Sequence, residues 1–129
     1  MKLKNLMILS SIGGFLAITL GAFGAHGLKS HLSERELQIF ETGVKYQFYH
    51  SLAILIVCII ARVFDIPKLV ISAWIFIFGM ILFSGSLYIL VITHTRTWGM
   101  ITPVGGTLFL VGWGNIIYQL FKWNEYEKD

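Results

Sequence analysis

Four blocks of apolar residues divide the chain, at residues 6–25, 46–61, 69–93 and 103–121, and none contains Asp, Glu, Lys or Arg. A helix of about 20 residues crosses a hydrocarbon core of about 30 Å, so the blocks predict four membrane spans. The second block is short, but Lys45 and Arg62 flank it and can carry their charged ends out to the interfaces. Between the first two blocks the pattern changes. Residues 34–45 are amphipathic, with Leu37, Phe40 and Val44 leading to Phe48 on one face and Glu34, Gln38, Glu41 and Lys45 on the other. Ser33 suits an N-cap, Glu36 stands at N3 to complete a capping box, and Leu32 and Leu37 fit a hydrophobic staple. The segment is expected to lie at the interface and run into the second span, with Gly43 as the place to bend. A soluble amphipathic helix is the alternative. Pro67 and Pro103 sit where helices would begin, since a first-turn N–H needs no partner. The pattern therefore predicts an all-α integral membrane protein. It is a four-transmembrane-helix bundle, one domain over residues 1–129, with an interfacial helix before its second span.

The first block also resembles a leader, with Lys2 and Lys4 before an apolar run and Ala22-Phe23-Gly24 as a small-residue cleavage site. The run is longer than a typical leader core. It also carries Gly13, Ala17, Gly21 and Ala25 at four-residue spacing, which lets another helix come close. Retention of the first span is expected; cleavage would leave three. Gly79, Gly105 and Gly106 are read as packing residues in the same way.

Composition agrees with the pattern. The chain is 56% hydrophobic and 13% charged, where a soluble domain has about 25% charged residues. One small core could not hide so much apolar surface, so the lipid bilayer of the cell membrane is the expected partner. The net charge of +3 would suggest nucleic acid in a soluble protein. Here the basic residues flank spans without clustering, and no nucleic acid is expected. Lys2, Lys4, Arg62, Lys68, Lys122 and Lys128 fall on the side of the termini, against Lys29, Arg35, Lys45 and Arg96 opposite. That balance predicts cytoplasmic N- and C-termini. Cys58, the single cysteine, reads as a small buried hydrophobe.

No nucleotide-binding, metalloprotease, CxxC or GxSxG signature is present. No Asp, Glu, Lys or Arg lies near the centre of a span, which argues against a transporter built on a midplane carboxylate. His26, His31, His50 and His94 all fall on the side opposite the termini, and Glu41, Tyr46 and Arg96 join them. No two histidines are four apart, so His26, His50 and His94 are weak metal candidates, and neither metal nor cofactor is expected. Tyr46 and His50 are i,i+4 neighbours just inside the boundary, and bonds to the turn containing His26 would satisfy them.

Four stretches resemble the signatures of a family of small bacterial membrane proteins, the domain of unknown function 423, which is similar to the eukaryotic transmembrane protein 256. They are Gly21-Ala22-Phe23-Gly24-Ala25-His26-Gly27-Leu28, then Glu41-Thr42-Gly43-Val44-Lys45-Tyr46-Gln47-Phe48-Tyr49-His50. Phe83-Ser84-Gly85-Ser86-Leu87-Tyr88 and Gly99-Met100-Ile101-Thr102-Pro103-Val104-Gly105-Gly106 follow. The resemblance implies a multi-pass protein that keeps its first span, and it supplies no activity. All four stretches fall toward one membrane side. A working face is expected there, with His26, Glu41, Lys45, Tyr46 and His50 at its centre and Ser84 and Ser86 beside them. A non-enzymatic accessory or self-associating module, in a homo-oligomer or a membrane complex, is the leading reading. A small oligomeric transporter or pore lined by Ser10, Ser11, Thr19, Ser84 and Ser86 is the alternative. A membrane enzyme or cofactor-binding protein using the histidine face is the third.

Overall fold

The computed structural model describes residues 3–124; Lys2, Lys128 and the end of the polar tail lie outside the described residues. Helix α1 (Leu3–Phe23) is prolonged by a wider, π-helical turn at Gly24–Leu28. Helix α2 is Glu34–Val63, α3 is Val70–Thr93 and α4 is Thr102–Lys122. Short 3₁₀ turns at Pro67–Leu69 and Arg96–Met100 lead into α3 and α4. All four helices are long and apolar enough to cross a membrane.

The amphipathic segment runs into the second span as one continuous helix of 30 residues. Its capping box is formed: the Ser33 Oγ accepts the Glu36 N–H at 3.2 Å, and the Glu36 carboxylate accepts the Ser33 N–H at 3.0 Å. The helix continues through Gly43, and the space beside that glycine is occupied. A Cβ there would stand 2.8 Å from the Tyr88 ring, and its carbonyl accepts the Ser84 hydroxyl at 2.6 Å. At 1.5 Å per residue α2 is about 45 Å long, more than the hydrocarbon core. Counting about 20 residues back from Arg62 sets the opposite interface near Thr42 and the middle of the span near Leu52.

Consecutive helices pack in a row. Helix α1 lies on α2, α2 on α3 and α3 on α4, and among the described residues no Cα of α4 comes within 8 Å of α1 or α2. On α1, Gly13 faces Ser51, Ala17 is fully buried and Gly21 faces Val44. Ala25 is exposed, contrary to the four-residue repeat, and Gly24 takes its place beneath the Phe40 ring. The reason is geometric: each four-residue step overshoots a 3.6-residue turn by about 40°, so Ala25 stands about 120° round from Gly13. Between α3 and α4 the seam is a zipper of phenylalanine against glycine. Phe83 meets Gly105, Phe109 meets Gly79 and Phe76 meets Gly112. Gly106, expected in the same seam, is looser, with its nearest neighbour at 3.8 Å.

Candidate functional site

The phenylalanine zipper builds the floor of a crevice between α2 and α4, and side chains rather than backbone bridge it. His50 enters from α2. Its ring lies flat on Phe109, with centroids 3.6 Å apart and planes 8° off parallel, while Phe76 presents an edge at 5.0 Å. Tyr46, one turn away, packs on Phe83 at 4.7 Å. Trp113 closes the crevice from α4, its indole N–H donating to the His50 Nε2 at 3.2 Å.

An indole nitrogen can only donate, so Nε2 accepts and the proton sits on Nδ1, which faces the Tyr46 carbonyl at 2.8 Å. His50 is thus a neutral imidazole with both nitrogens engaged and 5% of its surface exposed. The expected bonds to the turn containing His26 are not formed. Nor does His50 share the level of the other histidines, since it lies two residues from the estimated middle of the span, about 3 Å along the helix. The cause is the length of α2: charged residues in its first turns ended the apolar block at Tyr46, although the helix runs unbroken from its capped start at Glu34.

The remaining candidates do not converge on this cluster. His26, Glu41 and Lys45 are exposed, and among the described residues none of them forms a side-chain hydrogen bond or ion pair. Ser84 and Ser86 are buried in seams, Ser84 bonded to Gly43 and Ser86 paired with Thr102 at 2.6 Å. His94 ends α3 in a left-handed conformation (φ 53°) and meets the Glu36 carboxylate at 2.5 Å. No three metal-ligating side chains gather among the described residues. The sequence reading missed Trp113, Glu36 as the partner of His94, and a polar ladder between α3 and α4. In that ladder Asn115 donates to Ser72 at 2.8 Å and Gln119 donates to Asn115 at 3.2 Å. The spacing of Asn115 and Gln119 within an apolar block was the available signal.

The four signature stretches do meet, as helix seams: Gly21 on Val44, Gly43 on Tyr88 and Gly105 on Phe83. A family described as a protein of unknown function (DUF423) matches residues 20–106, which contain all four. The chain belongs to this family. DUF423 relatives align along nearly the whole chain. A UPF0382 membrane protein of Staphylococcus aureus is 42% identical over 93% of this chain and 98% of its own length. The UPF0382 membrane protein YwdK of Bacillus subtilis is 40% identical over 94% and 99%. The UPF0382 inner membrane protein YgdD of Escherichia coli is 40% identical over 88% and 86%. No solved structure matches. The matched DUF423 region includes Tyr46 and His50 and ends before Phe109 and Trp113, the α4 half of the cluster. The protein is a multi-pass helical membrane protein.

Proposed function

We propose that the protein is a non-enzymatic helical module that works by association inside the membrane, first of all with a second copy of itself. What supports the reading is a groove of about 410 Å³ between α1 and α3, which the row of helices leaves unfilled. Leu9, Ile12 and Gly13 form one wall and Ile81 and Gly85 the other. Its floor is tied together, with the Gln47 side chain donating to the Gly13 carbonyl and Tyr88 donating to Gln47, each at 2.8 Å. A Cβ added at Gly85 would meet no atom within 4 Å, so that wall leaves room for a helix from outside. Small residues at such positions are what membrane helices use for close approach.

The pore reading has less support. Ser10, Ser84 and Ser86 bond within seams between helices, and Ser11 and Thr19 bond carbonyls of their own helix. The termini are taken as cytoplasmic, on the basic balance of the loops.

Gly85→Leu tests the association. In detergent, folded protein is expected to remain, while co-purification of two differently tagged copies is lost. Unchanged co-purification in the variant, or no self-association in the wild type, overturns the reading.

A further inference from the structure

On the membrane side opposite the termini, a cavity of about 450 Å³ lies between the start of α2 and the end of α3. Arg35 and Glu36 of α2 line it with the capping Ser33, His94 and Arg96 line it from the far end of α3 and the turn beyond, and Ile39 and Leu90 form an apolar base. The charges in it are unequally engaged. Glu36 is held three ways, by the Ser33 N–H, the Ser33 hydroxyl and His94. Arg35 and Arg96 are exposed and, among the described residues, form no ion pair. Two guanidiniums against one carboxylate that is already bonded leave the cavity electropositive.

Its depth matters as much as its charge. With one edge of the hydrocarbon near Thr42, Arg35 lies about 10 Å and Ile39 about 5 Å beyond it along α2. On α3, about 20 residues from Lys68 set the same edge near Tyr88, so Leu90 stands just past it and His94 about 9 Å out. The arginines are thus in the headgroup layer, and the apolar base lies between them and the edge of the acyl chains.

We propose that this cavity binds the headgroup of an anionic phospholipid, with Arg35 and Arg96 on its phosphate and Ile39 and Leu90 against the start of a chain. Guanidinium forks match phosphate oxygens in pairs. A lipid bound here would join the ends of α2 and α3 on the side where His94 already ties them.

The test is native mass spectrometry of the full chain, extracted from vesicles of phosphatidylcholine mixed with phosphatidylglycerol. The wild type should retain phosphatidylglycerol preferentially. Arg35→Gln with Arg96→Gln should reduce that preference about tenfold, whereas Arg62→Gln, on the other membrane side, should leave it unchanged. Absence of preference in the wild type, a reading that depends on no variant folding, overturns the proposal. So does an equal loss with Arg62→Gln. Inorganic phosphate that displaces no lipid supports the site as a lipid site. Phosphate that raises the thermal stability of the lipid-free protein, and does so only with both arginines present, would mark a soluble-anion site instead and overturn it.

Discussion

At mid-membrane a protonated imidazole would be expensive, and His50 avoids the charge by giving both nitrogens a neutral partner. Trp113→Phe should remove the donor and leave the Nε2 lone pair buried, at a cost of about 1 kcal/mol. The measurement is the unfolding midpoint in detergent. His50→Phe added to Trp113→Phe should cost less than the sum of the two single changes, because no orphaned nitrogen remains. Strict additivity would mean that the bond contributes nothing. The i,i+4 relation of Tyr46 and His50 was legible from spacing alone, but the partner on α4 was not. Sixty-three positions separate His50 and Trp113, and only the packing of both α2 and α4 on α3 brings them together.

Among elements, the α3–α4 seam carries the tightest constraint. A Cβ at Gly105 would stand 2.4 Å from the Phe83 backbone nitrogen. Backbone cannot rotate away as a ring can, so Gly105→Ala should force the helices apart. The expected loss is about 1–3 kcal/mol in a thermal unfolding series, the usual range for overpacking. Gly85→Ala, with nothing near its new methyl, should melt with the wild type. Equal melting of all three proteins would show that the seam is looser than described. Apolar length made the four spans readable, and glycine inside a membrane helix pointed to Gly79 and Gly105 as packing positions. The capped start of α2 was legible at Ser33, while its inward packing was not, since Glu34, Glu41 and Lys45 sit on the outward face of a helix whose inner face already packs. Ala25 failed for a different reason: a repeat of four does not follow a turn of 3.6 for long.

For the whole molecule, the capped start of α2 and the His94–Glu36 contact lie on one side, and Arg62, Lys68 and Lys122 on the other. If the basic balance sets orientation, a cysteine at Ser30→Cys is labelled by an impermeant thiol reagent in intact cells. One at Asn124→Cys is labelled only after permeabilisation. Both are made with Cys58→Ser. The reversed pattern would place the proposed lipid cavity in the inner leaflet and the termini outside. That the chain makes a helical membrane protein could be read from composition. Which face works could not, because the signature stretches serve the seams and the exposed His26, Glu41 and Lys45 meet no common partner.

The row of helices has a consequence for how the chain is made. Each helix packs chiefly on the one synthesised just before it, so no span has to wait in lipid for a distant partner. The α1–α2 pair can close while α3 is still inside the ribosome, and each later span meets a completed surface as it leaves the insertion machinery. Contacts that follow the order of emergence close short loops first, and assembly then needs no rearrangement of helices already in place.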